Sequence, residues 1–145
     1  MSEELDEATL AFVHRVFELA RSGDTESLAP LLDSGLPVNL TNDQGDSLLI
    51  LAAYHDHPET VRLLLARGAD TARVNDRGQT ALGASVFRRS TAGVRALLGA
   101  GADPALGSPS AVEVATFFEL PDMLAVLRGD GAPGNGQPEG ESAPG

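Results

Sequence analysis

Apolar residues fall in short runs separated by polar turns, and these runs return at a fixed interval along the chain. The repeated positions lie 33 residues apart, and each is a leucine pair followed by a glycine: Leu31, Leu32 and Gly35; Leu64, Leu65 and Gly68; Leu97, Leu98 and Gly101. Such a period is typical of stacked units, in which no unit buries its apolar face alone and neighbours complete one core. The pattern therefore predicts a linear array.

Each repeat also carries the pattern of two short helices joined by a turn. Ser47 precedes the apolar run LLILAAY and suits a helix N-cap, because its hydroxyl can accept from a free backbone N–H. Pro58 fits the first turn of a second helix, where its missing N–H is not needed. Gly68 follows the last apolar turn, where a left-handed cap favours glycine. The other predicted helix starts are Thr80, Ser90 or Thr91, Ser110 with Glu113 as a capping box, and Pro121.

These units predict an all-α solenoid of about four helix-turn-helix repeats. The array covers residues 1–128, with units at about 9–41, 42–74, 75–106 and 107–128. The first and last units are atypical, as capping repeats are, and the fourth is three residues short, which we expect to trim its loop. Residues 129–145 are rich in glycine, proline and acids and hold no large apolar residue, so we expect a disordered tail.

The composition excludes several classes of protein. The 145 residues are 42% apolar, which suffices for one core, and the absence of cysteine excludes disulfides, thiolate metal sites and cysteine nucleophiles. The acidic start lacks the basic segment of a secretory signal, and no apolar run reaches the roughly 18 to 20 residues of a membrane span. We therefore expect a soluble, cytoplasmic protein without membrane association.

Charge is distributed unevenly along the chain. The net charge is −11, yet residues 60–95 hold seven of the ten arginines, between acidic ends. An acidic chain argues against nucleic-acid binding, which needs a continuous basic surface. The arginines either pair internally on a solvated surface or form a local basic centre. Because all ten basic residues are arginine, we expect a GC-rich, bacterial genome.

The sequence contains no motif of enzyme chemistry. It lacks a phosphate-binding glycine loop, a nucleophile elbow and a paired-carboxylate motif, so we expect neither catalytic residues nor a cofactor. His55 and His57 are two residues apart in a predicted turn, but no third ligand has a suitable spacing for a metal. His14 falls in the first predicted helix, and we interpret it as a packed or surface residue. We therefore predict no metal site.

The repeats resemble those of the ankyrin family over roughly residues 13–128. The segment 42–70 has the family's turn glycine, helix start, Val-x-Leu-Leu-Leu run and Gly-Ala-Asp ending, and the next unit matches at many of these positions. The matching residues in the first of these units are Gly45, Ser47, Leu49, Leu51, Ala52, Ala53, His57, Glu59, Val61, Leu63, Leu64, Leu65, Gly68, Ala69 and Asp70. The resemblance implies short β-hairpin loops between units and a structural role for His57.

This chain departs from the family at the start of each first helix. The family's proline and histidine are replaced by Leu48 and Ile50, Ala81 and Gly83, and Ala111 and Glu113. The inter-repeat hydrogen bonds of that histidine are therefore lost, which predicts a softer stack. Gly83 inside a helix adds to this, at a cost of about 1 kcal/mol relative to alanine.

The resemblance also implies a binding surface on the concave face, formed by the hairpin tips and the ends of the first helices. The register places Tyr54, Phe87 and Phe117 at equivalent positions, with Phe118 beside them, and we name these four residues the aromatic row. The full predicted partner-binding set is Arg21, Asp43, Gln44, Asp46, Tyr54, His55, Asp76, Arg77, Gln79, Phe87, Arg88, Phe117 and Phe118. In the alternative interpretation, the three phenylalanines pack into the core.

Aromatic and arginine side chains are enriched where binding energy concentrates, so this surface predicts a protein-binding module that is monomeric when unbound. Arg77, Arg88 and Arg89 beside the row favour a partner with acidic residues. Three alternatives stay open: a regulatory or chaperone-like subunit of one enzyme, for example in stress defence; a ligand or metal sensor using His55 and His57; and a self-associating module.

Overall fold

The computed structural model describes residues 7–129 and contains eight α-helices and no strand within that range. The helices are α1 Glu7–Ser22, α2 Thr25–Asp33, α3 Leu48–Tyr54, α4 Pro58–Ala66, α5 Ala81–Phe87, α6 Thr91–Gly99, α7 Ala111–Phe117 and α8 Pro121–Leu127. They form four consecutive pairs, so the predicted all-α repeat architecture is confirmed. The predicted disordered tail, apart from Gly129, lies outside the described residues. No described helix is long and apolar enough to cross a membrane.

The helix starts follow the capping chemistry expected from the sequence. The hydroxyls of Ser47, Thr80 and Ser90 each accept a hydrogen bond from the backbone N–H three residues later, at 3.0 to 3.1 Å. Ser110 and Glu113 form the predicted capping box, in which each side chain accepts from the other residue's backbone N–H. These bonds satisfy donors that the first turn of a helix leaves unpaired. Pro58 and Pro121 begin α4 and α8 as expected.

The turn inside each helix pair requires a left-handed residue, which the sequence pattern did not reveal. Gly23 occupies this position in the first pair, with φ +76°, and Asp56, Arg89 and Glu119 occupy it in the others, with φ between 56° and 62°. A side chain costs free energy in this region, since Cβ crowds the following carbonyl. Glycine is necessary in the first pair, because a Cβ there would lie 2.4 Å from Nδ1 of His57.

The core lies between successive helix pairs. The first helices pack in the order α1, α3, α5 and α7, and the second helices pack beside them in the order α2, α4, α6 and α8. Leu28, Leu64 and Leu97 are completely buried at the centre of the second layer. Each buried leucine contributes roughly 2 kcal/mol. Because this contribution depends on a neighbouring pair, the units stabilise one another.

The loops between pairs differ from the paired β-hairpins that the resemblance implied. Within the described residues they contain only isolated bridges, at Thr41 with Ser47 and at Gly107 with Ser110. Side-chain hydrogen bonds replace those of a strand ladder. The Asn75 Oδ1 atom accepts hydrogen bonds from the backbone N–H groups of Arg77 and Gln79, both at 2.9 Å. Because asparagine side chains hydrogen-bond to nearby backbone N–H groups, these short loops are closed without a strand ladder.

Neighbouring loops are tied to each other through the backbone. The N–H of Asp76 donates to the Gln44 carbonyl at 2.9 Å, and the N–H of Ser108 donates to the Gly78 carbonyl at 2.8 Å. The connection before α7 is three residues shorter than the one before α5, so the deletion in the fourth unit falls in its loop as expected. The loops of neighbouring units therefore stack on one another, at the edge of the array where α3, α5 and α7 begin.

One buried hydroxyl in α5 should weaken the fold. The Oγ atom of Ser85 is buried and has no hydrogen-bond partner among the described residues, whereas alanine stands at the equivalent positions 52 and 115. Ser85→Ala should therefore raise the free energy of unfolding by about 1 kcal/mol, as measured by urea denaturation. The matched control is Ser90→Ala, which should lower it by about 1 kcal/mol because this hydroxyl caps α6. A loss of stability in Ser85→Ala would contradict the assignment.

The left-handed turn of the fourth pair offers a second test. Glu119→Gly should raise the free energy of unfolding by about 1 kcal/mol, because glycine occupies φ 56° without a steric penalty. Thermal and urea unfolding measure the change. Glu119→Gln is the control, since it removes the charge but keeps the Cβ. Equal stabilisation of both variants would assign the gain to charge rather than to the backbone.

Candidate functional site

The aromatic row is continuous across three helix pairs. Tyr54 at the end of α3 stacks on Phe87 at the end of α5, with ring centroids 6.2 Å apart and planes 2° from parallel. Phe87 meets Phe118 edge to face at 5.6 Å, and Phe118 meets Phe117 in the same way at 4.9 Å. These arrangements are the favourable ones for aromatic quadrupoles. The ends of α3, α5 and α7 thus form one connected aromatic surface.

The phenylalanines of the row are exposed rather than buried. Phe117 is 78% exposed, Phe87 42% and Phe118 40%, which excludes the alternative that places them in the core. Tyr54 is half-buried and packs against the core. The row is therefore anchored at Tyr54 and becomes more accessible towards α7.

A cleft of about 690 Å³ opens beside the row between α5 and α7. Its lining residues are Tyr54, Gln79, Gly83, Ala84, Phe87, Ser108, Pro109, Glu113, Val114, Phe117 and Phe118. Gly83 occupies the helix position that Ile50 holds in α3 and Glu113 holds in α7, so α5 lines the cleft here with backbone alone. A Cβ at this position would lie 3.3 Å from Oγ1 of Thr80. The residue that departs from the family pattern therefore contributes to a cavity of the size that binds ligands.

Basic residues extend from the row towards α1. Arg21 lies in the last turn of α1, and His55 and Arg88 directly follow α3 and α5. Arg21 forms an ion pair with Glu18. Burial lowers the pKa of His55 from its usual 6.5, and the nearby Arg21, His57 and Arg88 lower it further, against a smaller opposing effect of Asp46. The Arg89 guanidinium lies 6.0 Å from the centroid of the Phe118 ring. The cationic neighbours of His55 give a positive local potential at the Tyr54 end of the row, whereas Arg89 lies beside Phe118 at the other end.

The predicted loop residues divide into surface and structural groups. Asp43, Gln44, Asp76 and Arg77 are exposed at the tips. Asp46 is buried, and its Oδ1 atom accepts from the Asn75 amide at 2.7 Å, so this carboxylate joins two loops. The Oε1 atom of Gln79 accepts from the same amide at 2.9 Å.

Sequence reasoning overlooked Asn75 as the organiser of this edge. Its amide donates to both Asp46 and Gln79, while its Oδ1 atom closes its own loop. Asn42 holds the preceding loop by the same pattern of side-chain acceptance. The recurrence of Asn-Asp-x-Gly at 33 residues was the available signal.

The two turn histidines do not converge on one site. His57 Nε2 donates to the Arg21 carbonyl at 2.9 Å and so links the first and second pairs, which confirms its structural role. The His55 ring instead packs edge to face on Tyr54, with centroids 5.2 Å apart. No group of three or more histidines and carboxylates among the described residues has the arrangement of a metal site.

The titration of His55 tests the local potential. Its NMR titration midpoint should lie below 6.5, because burial and neighbouring cations disfavour the imidazolium. Arg21→Gln should raise this pKa towards 6.5, whereas the control Arg62→Gln, an exposed arginine in α4, should leave it unchanged. Since the pKa is depressed on folding, the contribution of His55 to stability is present above pH 6.5 and is lost as pH falls through the folded pKa. A midpoint at or above 6.5 would refute the prediction.

Comparisons with known proteins agree with this architecture. The family model described as Ankyrin repeats (3 copies) matches residues 16–107. The ankyrin repeat protein PA3287 of Pseudomonas aeruginosa is 58% identical over 60 residues, which are 41% of this chain and 35% of that protein. The crystal structure of the human ASB11 ankyrin repeat domain matches with a TM-score of 0.71 and 27% identity, over 79% of this chain and 53% of that chain.

The chain thus spans about a third of the curated relative and about half of the solved structure. The family match covers more than half of this chain, and the helix pairs, turn residues and stacked order described above account for it. The chain belongs to the ankyrin repeat family.

Proposed function

We propose that this chain binds a partner protein through its concave face, with the aromatic row as the centre of the interface. Ankyrin repeats are general protein–protein interaction modules, and they are typically not enzymes. The observation that carries the proposal is the connected, exposed row of aromatic rings across three helix pairs, beside the cleft. The exposed tips Asp43, Asp76 and Arg77 would form the polar rim.

The exposure of the row has a physical cost that binding would offset. Contiguous apolar rings on a monomer's surface favour self-association, so they persist most readily where a partner covers them. Aromatic side chains bury a large area and lose little rotamer entropy, and such residues dominate the energy of many interfaces.

The row is already assembled in the unbound chain, which favours docking without rearrangement. Tyr54 packs against the core, and the turn after α5 places Phe87 beside Phe118 through fixed backbone geometry. A preformed surface loses little conformational entropy when a partner binds. A standard interface of about 800 Å² per partner would extend from the row to the loop tips.

Affinity capture from extract of the source cells tests the proposal. Intact protein, a Phe87→Ser and Phe117→Ser double variant, and a Phe12→Ser control should be compared at equal loading. Phe12 is a suitable control because it is as exposed as Phe87, at 42%, but lies on α1 away from the row. Circular dichroism should first establish that each variant is folded.

We expect one protein to be enriched by the intact chain and by the control, with at least about a tenfold loss for the double variant, since two central aromatic contacts are removed. Recombinant co-purification of that protein should reproduce the difference. Equal recovery by all three forms would contradict a role for the row.

A further inference from the structure

We infer that the cleft between α5 and α7 receives an arginine side chain of the partner, with the guanidinium at Glu113 and over the aromatic row and its aliphatic stem against the small and apolar residues of the cleft wall. This inference rests on the proposed function, since the arginine belongs to the partner protein. It assigns a chemical class to the central contact, which the family match leaves open.

The first observation is the charge of the cleft. Glu113 is the one charged residue among the described residues that line it, and no arginine is among them. Glu113 is exposed, and its Oε1 atom already accepts the Ser110 N–H at 2.8 Å, which orients the carboxylate from the first turn of α7. A carboxylate held in this way suits a guanidinium, which pairs with it in a planar geometry.

The second observation is the chemistry of the surrounding walls. Aromatic rings carry a negative potential on their faces and attract cations placed over them. The chain already makes such a contact itself, between the Arg89 guanidinium and the Phe118 ring. Gly83, Ala84 and Val114 add small or apolar surface against which the methylene stem of an arginine can pack.

The third observation concerns the rest of the concave face. Arg77, Arg88 and Arg89, which suggested an acidic partner segment from the sequence, are exposed beside the row, but none of them lines the cleft. Arg21 is paired with Glu18, and burial and adjacent cations lower the pKa of His55. Asp43 and Asp76 are exposed at the tips, and the net charge of the chain is −11. Inside the cleft, where Glu113 is the charged residue of the described lining, a cationic side chain is therefore favoured over an anionic one.

The chain contains its own reporter for the cleft. Tyr54 lines it and is the single tyrosine of a sequence without tryptophan, so intrinsic fluorescence reports on this site alone. The probes are three peptides with blocked ends, Ala-Arg-Ala, Ala-citrulline-Ala and Ala-Leu-Ala, none of which contains an aromatic ring. Citrulline has nearly the shape of arginine without its charge. Amide NMR shifts at Gly83 and Ala84 should locate binding independently.

We expect the arginine peptide to bind about fivefold more tightly than the citrulline peptide, as a cation–π contact and an exposed ion pair together imply. Glu113→Gln should reduce this preference about twofold or more. It should leave stability nearly unchanged, because glutamine also completes a capping box. Phe117→Leu should weaken the preference as well, since it retains an apolar wall but removes the ring face.

Three results would overturn the inference: equal affinity for arginine and citrulline, tighter binding of the leucine peptide, or no response at Tyr54, Gly83 and Ala84. Each would leave the capture experiment unaffected, because the aromatic row can bind an apolar partner without a cation in the cleft. Conversely, loss of the row's effect in capture with a retained arginine preference would assign the cleft to a free guanidinium ligand rather than to a partner protein.

Discussion

Burial of apolar side chains between neighbouring helix pairs is the constraint on which the whole molecule depends. A helix of seven or nine residues is too short to be stable by itself, and most helices of this chain have that length. Each pair gains its stability by covering the apolar face of the next, as Leu28, Leu64 and Leu97 show at the centre of one layer. The repeat of sequence is therefore the physical condition for a core.

The same stacking creates the candidate site. Because α3, α5 and α7 pack side by side, residues that are far apart in sequence meet at the same end of the layer. Tyr54, Phe87 and Phe118 become ring neighbours in this way, although no local interaction brings them together. The cleft has a related origin, since the position occupied by Ile50 in one helix is a glycine in the next and a glutamate after that. Different residues at one repeated position thus give the three units different chemistry along the same surface.

Local sequence signals predicted the helix boundaries well, because caps and breakers act within a few residues. Ser47, Thr80 and the pair of Ser110 with Glu113 all cap the helices that they were expected to cap. The predicted hairpin loops contain only isolated bridges within the described residues, because asparagine side chains close them. The left-handed turns at Asp56, Arg89 and Glu119 were also missed. A position with a left-handed backbone is recognised in a sequence by its glycine. When another residue type occupies such a position, the sequence gives no signal for the turn.

The sequence by itself determined the repeat, the order of the helices and the positions of the aromatic and acidic residues, because periodicity and capping are local properties of the chain. Only the tertiary structure decided which of those residues are accessible. The exposure of Phe117, the burial of Asp46 and the close approach of Gly83 to the loop before α7 depend on the distance between neighbouring pairs. That distance results from the packing of side chains belonging to different units, and no single repeat contains the information.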